Sequence, residues 1–372
     1  MTQRRTFWTG APSRFAGLGR NKARLALLAL ILILAACLTA LGVPQSPTGA
    51  SASGAAQEMT DLSLYERISA GMKGGDNYYV SAATALRAGH YPLRPFLTFR
   101  LPALSVIQAA LPLWATLAML FALVLATAIA WGARLGMALP RMLPRIAVLL
   151  LMLGSLIAFL QPELSAFHEI WAGLLVALSL ALRRPGRWIE AVAIGLAAML
   201  IRETALLYVV VMALFAWFEG QRREALGWGV AILIFAVVLG LHAHAVAGVT
   251  GPLDARSPGW FGLNGFGFFV SSLATATALQ ILPLWLAALL VGLLLFGWAS
   301  WNDPLGLRMF ALLAAYAVAI GVFARLDTFY WALMIAPVSL VGLVFVPDAL
   351  RDLFVRALDL DRPRITVTRV TR

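Results

Sequence analysis

The sequence predicts an all-α protein that crosses a membrane about ten times. Hydrophobic residues make up 61% of the chain and charged residues only 12%, which is far from the composition of soluble globular proteins. Several apolar stretches approach or exceed the roughly 20 residues with which a helix spans the hydrocarbon core of a bilayer. Some of these stretches are bracketed by arginines, as is typical of transmembrane helices.

The net charge of +12 does not indicate a nucleic-acid-binding protein. Its basic residues lie mostly at the ends of apolar segments, whereas a nucleic-acid surface groups them in patches interleaved with aromatic residues. They are typical of signals that set the orientation of membrane helices. Membrane lipids, and not nucleic acid, are therefore the expected surroundings.

The single cysteine, Cys37, excludes a disulfide within the chain. It closes the string LAAC, which resembles the processing signal of bacterial lipoproteins. The apolar run around it extends about twenty residues from Arg24 to Val43, whereas a cleaved signal has an apolar region of roughly 7–15 residues. An uncleaved first helix is favoured, with lipoprotein processing as the alternative.

Arginine placement predicts that both chain termini lie in the cytoplasm. Residues 1–24 and 347–372 are expected to be basic cytoplasmic tails, and residues 25–346 a single membrane domain with an extracytoplasmic first loop at 45–104. The expected location is a cell membrane, with a bacterial inner membrane as the first choice. Helices are predicted near residues 25–43, 105–132, 146–160, 168–182, 188–200, 204–217, 225–247, 280–299, 308–323 and 328–346.

The stretch between the basic clusters RRPGR and GQRRE contains some thirty apolar residues, with Arg202 and Glu203 near its middle. One long helix would place the two basic clusters on opposite sides of the membrane. Two short helices keep both clusters in the cytoplasm and carry Arg202 and Glu203 to the far side. The pair is favoured, with its tip inside the membrane thickness, and one long helix with a snorkelling charge pair is the alternative.

The first loop begins with a flexible linker at 44–56, rich in small and polar residues, and then becomes amphipathic. In DNYYVSAATALRAG (76–89) the apolar residues fall at helical spacing, and Gly89 is placed to end the helix. Such a helix is expected to lie on the membrane surface. The Gly- and Phe-rich segment FGLNGFGFF (261–269) is likewise expected to lie along the interface.

Charged residues and histidines at membrane depth are costly and commonly functional, and here they gather on the predicted extracytoplasmic side. We therefore expect the chemistry of the protein on that side. The residues concerned are Asp61, Glu66, Asp76, His90, Glu163, His168, Glu169, Arg202, Glu203, Arg325 and Asp327.

Three segments resemble the GT-C class of membrane glycosyltransferases. DNYYVSAATALRAGHYPLRPFLTFRLPALSVI (76–107) looks like the first extracytoplasmic loop of that class, in which an acid opens an amphipathic segment. AVAIGLAAMLIRETALLYVVVMALFAW (191–217) resembles its short helix pair with a polar tip, and RLDTFYWALMIAPVSLVGL (325–343) resembles its late polar turn and proline-bearing helix. The similarity covers most of residues 25–346.

The resemblance implies transfer of a sugar from a polyprenyl-phosphate donor to a cell-surface glycan or glycolipid acceptor, with no other certain cofactor. Asp76 matches the acid of the class and is predicted to be the general base. It follows the first helix at a greater distance than is usual in the class, and Asp61 is therefore the alternative base. Arg202 and Arg325 are predicted to stabilise the departing lipid phosphate. The other predicted substrate-binding residues are Glu203, Asp327, His168, Glu169 and Tyr79.

Each assignment has an alternative. Asp76 directly precedes a helix and could serve only as its N-cap. Arg202 with Glu203, and Arg325 with Asp327, could be structural pairs. His168 and Glu169 could bind sugar hydroxyls or a divalent metal, but one His-Glu pair does not define a metal site.

Other functions are also compatible with the sequence. A polymerase or ligase of surface polysaccharide would be expected to carry its large loop late in the chain. A transporter or flippase of lipid-linked sugars would be expected to show internal repeats, and none is visible. A member of the class that binds lipid-linked sugar without turning it over is a further alternative.

Overall fold

The computed structural model describes residues 6, 8–44 and 61–360, and over these ranges the all-α prediction is confirmed. The α-helices are α1 Arg20–Cys37, α2 Asp61–Lys73, α3 Tyr78–Ala88, α4 Ala103–Ala110, α5 Leu113–Ala138, α6 Met142–Leu156, α7 His168–Leu182, α8 Ile189–Ile201, α9 Leu206–Phe218, α10 Arg222–Ala247, α11 Gly265–Thr275, α12 Leu284–Ser300, α13 Pro304–Phe323 and α14 Val346–Ala357. The 3₁₀ helices are Arg14–Gly17, Leu38–Gly42, Phe96–Thr98, Ile157–Leu160, Pro162–Ala166, Glu203–Ala205, Ala278–Ile281, Leu326–Met334 and Ala336–Phe345. Most of the predicted linker (45–56) and the outer parts of the predicted tails (1–5 and 361–372) lie outside the described residues.

Among the described residues, five helices are long and apolar enough to cross a membrane, and a sixth span is formed if the bent pair Leu326–Met334 and Ala336–Ala357 is counted as one. The two parts of that pair meet at an angle of 67°. The predicted count of about ten crossings is not confirmed, because the other apolar segments form helices of 10–17 residues. The five long spans are Arg20–Gly42, Leu113–Ala138, Met142–Leu160, Arg222–Ala247 and Pro304–Phe323.

The turns that the sequence places in the cytoplasm meet at one end of the molecule, which we call the basic end. There the backbone N–H of Gly10 donates to the carbonyl of Ala138 at 2.9 Å, and Arg14 donates to the carbonyl of Trp301 at 3.1 Å. Arg183 forms an ion pair with Glu224 at 2.8 Å. The opposite end, which we call the loop end, contains residues 61–102, 157–168, 202–205, 248–264 and 324–330. The predicted alternation of chain segments between two ends is thus present in the fold.

The predicted hairpin of two short helices is confirmed as α8 and α9. Arg183 lies before α8 and Glu219 follows α9, and their side chains are 3.5 Å apart, so the hairpin begins and ends at the basic end. Each helix has 13 residues and is therefore about 20 Å long, less than the roughly 30 Å of a hydrocarbon core. The tip at Arg202 and Glu203 consequently lies inside the protein, at the depth of the apolar helices.

Helices α2 and α3 pack together at the loop end. Tyr78, Ala82 and Leu86 of α3 are buried, as the helical spacing predicts, in a small core with Leu64 and Ile68 of α2. This apolar face therefore packs on α2, and the expectation that the helix lies on the membrane surface stays a prediction. A helical period identifies a buried face but does not distinguish protein from lipid as the partner.

The Gly- and Phe-rich segment is only partly at the surface. Phe261 and Leu263 are exposed, but from Gly267 onwards the segment is buried in α11, which packs between α1, α12 and α13. A Cβ atom at Gly267 would lie 2.6 Å from the backbone carbon of Thr39, so glycine is required for this close approach. The expectation of an interfacial location is therefore wrong for α11.

The inner parts of the two predicted tails are folded against each other. Asp348 accepts a hydrogen bond from the Thr9 hydroxyl at 2.8 Å, and Asp352 accepts one from the Ser13 hydroxyl at 2.7 Å. Helix α14, which lies beyond the predicted domain boundary at 346, packs on α1. Both described terminal segments therefore lie together at the basic end.

We expect cysteines introduced at Leu253 and Asp327 to react with an impermeant thiol reagent from one side of the membrane. Cysteines at Arg184 and Arg223 should react from the other side, because these exposed positions lie at opposite ends of the fold. The measurement compares intact and lysed cells in a Cys37→Ala background. Labelling of all four positions from the same side would contradict the alternation.

Candidate functional site

Four charged side chains meet among the apolar helices at the loop end. Arg202 Nε lies 2.6 Å from Glu169 Oε1, and a second nitrogen of Arg202 contacts Glu203 Oε1. Arg100 Nη1 lies 3.5 Å from the same Glu203 oxygen. With two arginines and two glutamates, this ion-pair cluster has no net formal charge.

The fold brings these groups together because Glu169 lies in the first turn of α7 and Arg202 ends α8. Both residues are 0% exposed, and charges so deeply buried are tolerated only when they are paired. The sequence predicted Arg202, Glu203 and Glu169 as site residues but not Arg100. The sequence did contain an indication that Arg100 has a special role, because it is a basic residue on the side of the membrane where the positive-inside rule disfavours basic residues.

The cluster is rich in polar atoms that the protein leaves without hydrogen bonds. Sixteen buried side-chain nitrogen or oxygen atoms of the described residues have no such partner, and eight of them belong to His168, Glu169, Arg202, Glu203 and Thr204. The contact between Arg202 and Glu169 is close, but it is not aligned as a hydrogen bond. Buried polar atoms are normally hydrogen-bonded, so their concentration here makes the cluster a candidate functional site.

A small pocket opens beside the cluster, and we call it the Asp61 pocket. Its volume is about 120 Å³. Asp61 lies in the first turn of α2 and accepts hydrogen bonds from the hydroxyls of Tyr91 at 3.0 Å and Tyr330 at 3.2 Å. Its other polar lining residues are Tyr65, Tyr78, Thr98, Arg100, Ser257, Trp260, Arg325, Asp327, Thr328 and Trp331.

Arg100 connects the pocket to the ion-pair cluster. Its Nε donates to the Tyr65 hydroxyl at 3.1 Å, and the Tyr78 hydroxyl donates to its backbone carbonyl at 2.6 Å. Burial raises the pKa of Tyr65 and Tyr78 above the ordinary tyrosine value. The pKa of Tyr91 is also raised, by burial and by the charge of Asp61. These phenols therefore remain neutral at physiological pH.

Arg325 and Asp327 line the pocket, and their role in substrate binding stays a prediction from the sequence. Arg325 Nη2 lies 2.8 Å from Asp327 Oδ2, and the two side chains are 37% and 64% exposed. The pair is therefore accessible from the loop end. Arg202, by contrast, is enclosed at the base of the cluster and does not line the pocket.

Asp76 lies outside the pocket lining, in an exposed turn between α2 and α3. It is not the N-cap of α3, because Asn77 occupies that position and its side chain accepts from the backbone N–H of Tyr79 at 2.9 Å. Tyr79 also lies outside the lining, with its hydroxyl 3.2 Å from His242 Nδ1. Of the two aspartates that the sequence offers as the base, Asp61 lines the pocket together with Arg100 and Arg325, and the catalytic role of Asp76 stays a prediction from the sequence.

His168 lies within the cluster region rather than in an open metal site. It is 1% exposed, and its ring centroid is 5.0 Å from that of Tyr65. Among the described residues, no group of three or more histidine, cysteine, aspartate or glutamate side chains is arranged to hold a metal ion. His168 and Glu169 thus contribute polar atoms next to the two arginines.

No protein-family model matches the chain, and no curated protein or solved structure is significantly similar to it. Its class is defined by its own fold and site. The part of the chain that the structure describes is all-helical, has five or six helices able to cross a membrane, and carries a paired charge cluster and a polar pocket at one end.

We expect Arg202→Gln to destabilise the protein by about 3–5 kcal/mol, because it leaves Glu169 and Glu203 with one arginine between them in a buried site. The double variant Arg202→Gln/Glu169→Gln restores a neutral cluster and should recover part of that loss. Unfolding of the purified variants in detergent measures both effects. Equal stability of Arg202→Gln and the parent protein would show that the cluster does not hold the hairpin tip.

Proposed function

We propose that this protein is a membrane glycosyltransferase that moves a sugar from a polyprenyl-phosphate donor to a glycan or glycolipid acceptor at the loop end. The observation that carries the proposal is the Asp61 pocket, where a positioned carboxylate and two arginines line the same small space. Such a combination suits transfer from a phosphate leaving group, and it agrees with the resemblance of the three sequence segments to the GT-C class. The loop end would then be extracytoplasmic, in a bacterial inner membrane.

Asp61 would act as the general base. As the acceptor hydroxyl oxygen attacks the anomeric carbon, its proton passes to the Asp61 carboxylate, and the bond between the anomeric carbon and the donor phosphate oxygen breaks. An ionised carboxylate has about four acceptor sites, and the two tyrosines use two of them. The remaining sites are available to an acceptor hydroxyl, while Tyr91 and Tyr330 fix the direction of the carboxylate.

Arg325 and Arg100 would bind the departing phosphate, whose charge increases as the glycosidic bond breaks. Arg325 is partly exposed and paired with an exposed aspartate, so it can exchange that partner for a phosphate at little cost. Arg100 is more enclosed and is held by Tyr65 and Glu203. Arg202 would act as a positioning residue, because its contact with Glu203 orients the carboxylate that faces Arg100.

Deletion of the gene is expected to leave a truncated surface glycan and to increase the amount of unused lipid-linked sugar donor. The reason is that loss of a transferase blocks consumption of its donor and extension of its acceptor. Mass spectrometry of released surface glycans and extracted lipid-linked sugars measures both quantities, with a complemented strain as control. Unchanged glycans and donor amounts in the deletion strain would reject the transferase.

We expect Asp61→Asn to reduce transfer by about a hundredfold or more while the protein still folds, because asparagine keeps the size of the side chain but not its basicity. Asp76→Asn is the matched comparison, and it should retain transfer because Asp76 lies outside the pocket lining. The measurement is transfer by purified variants together with their thermal unfolding. The opposite result, with loss in Asp76→Asn alone, would establish Asp76 as the base and leave Asp61 as an anchor for the tyrosines.

A further inference from the structure

A second and larger pocket lies on the other side of helix α2, and we call it the Ser69 pocket. Its volume is about 500 Å³, within the range typical of ligand sites, whereas the Asp61 pocket has room for little more than a reacting group. It is lined by Tyr65, Glu66, Ser69, Ala70, Lys73, Gln108, Leu113, Thr116, Leu117, Pro162, Glu163, Ser165 and Ala166.

Helix α2 forms the wall between the two pockets. One face of the helix, with Asp61, Leu64 and Ile68, borders the Asp61 pocket. The adjacent face, with Ser69 and Lys73 among its residues, borders the Ser69 pocket. Both sets follow the three- and four-residue spacing of a helix face, and Tyr65 lies between them and lines both pockets. A ligand in the larger pocket would therefore lie one helix width from the carboxylate of Asp61.

The polar side chains of the Ser69 pocket are available to a ligand. Within the part of the chain that the structure describes, Glu66, Ser69, Lys73 and Glu163 form no ion pair or side-chain hydrogen bond. Gln108 differs, because its amide nitrogen donates to the carbonyl of Ser165 at 2.8 Å. That bond fixes the wall between α4 and the 162–166 turn and leaves the amide oxygen of Gln108 as an acceptor.

The chemistry of this lining suits a carbohydrate. It offers hydrogen-bond donors in Lys73 and Ser69, and acceptors in Glu66 and Glu163, at separate points around one cavity. The lining contains one lysine, two glutamates and no arginine, so its formal charge is −1. A pocket of this charge is poorly suited to a phosphate or another polyanion. A ligand with many hydroxyl groups and no net charge matches these groups best.

The surroundings of the pocket indicate that the carbohydrate is carried on a lipid. Leu113 and Leu117 of α5 form its apolar side, and Leu113 is 66% exposed. The neighbouring Trp114 is 73% exposed at the start of this long apolar helix, and tryptophan is enriched at membrane–water interfaces. The pocket therefore opens beside a lipid-facing surface, at the depth where the headgroup of a glycolipid would lie.

We infer that the Ser69 pocket binds the inner sugars of a membrane-anchored acceptor, whose outer end extends past α2 and brings the reacting hydroxyl to Asp61. This inference rests on the proposed transferase function, to which it adds an acceptor site. The donor phosphate would use the arginines of the Asp61 pocket, and the acceptor the unpaired groups of the Ser69 pocket. The donor phosphate and the inner part of the acceptor would thus contact different faces of α2.

The test uses the full-length protein in nanodiscs and fluorescently labelled glycans released from the surface of the deletion strain. Ala70→Trp places a large ring in the pocket from an exposed position, and we expect it to weaken glycan binding by at least about tenfold, the factor that corresponds to 1.4 kcal/mol. Arg67→Trp, on a face of α2 that lines neither pocket, is the matched control and should bind as the parent protein does. Glu163→Ala, on the opposite wall, should weaken binding several-fold.

The outcomes separate this inference from the proposed function. Absence of binding by the parent protein, or equal binding by Ala70→Trp and Arg67→Trp, would overturn the acceptor site even if deletion of the gene causes donor to accumulate. If binding depends on the pocket but deletion of the gene changes neither the surface glycans nor the amount of donor, the carbohydrate site is retained and the transferase is rejected. Tighter binding of intact glycolipid than of released glycan would support the lipid-anchored source, and equal binding would overturn that part of the inference.

Discussion

The pairing of Arg202 with Glu169 and Glu203 is the constraint on which the loop end depends. A hairpin of two 13-residue helices ends inside the apolar part of the fold, and its tip carries an arginine that cannot reach bulk water. The charge is tolerated because α7 begins with Glu169 at the same depth. Helices α7, α8 and α9 are therefore fixed relative to one another by charge as well as by apolar packing.

The cluster also determines how the site is oriented. Glu203 faces Arg100 as well as Arg202, and Arg100 in turn contacts Tyr65 on α2. The chain of contacts thus extends from the hairpin tip to the helix that carries Asp61. Tyr91 and Tyr330, from two other parts of the chain, hold the Asp61 carboxylate itself. This arrangement is well suited to keep a reactive group in place within the limits that catalysis requires.

Helix α2 links the two proposed substrate sites. Its residues alternate between the Asp61 pocket and the Ser69 pocket with the period of the helix, so the position of one pocket fixes the position of the other. At the basic end, the contacts of Asp348 and Asp352 with the N-terminal segment join the two described termini. The polar contacts of this protein are therefore concentrated at its two ends, as expected for a chain whose middle is apolar.

The sequence by itself determined the helical class, the short hairpin with its polar tip, and the alternation of segments between two ends. These follow from local quantities, namely the length of apolar runs and the placement of arginines at their ends. Only the tertiary structure decided that Arg100 joins Glu203, that Asp61 rather than Asp76 lies beside the arginines, and that α2 covers α3. Those outcomes depend on which distant segments pack together, and a periodic pattern in one segment does not specify its partner. For the same reason the number of crossings could not be read from apolar length alone, since apolar helices such as α7 and α12 are shorter than a full span and are buried largely by protein.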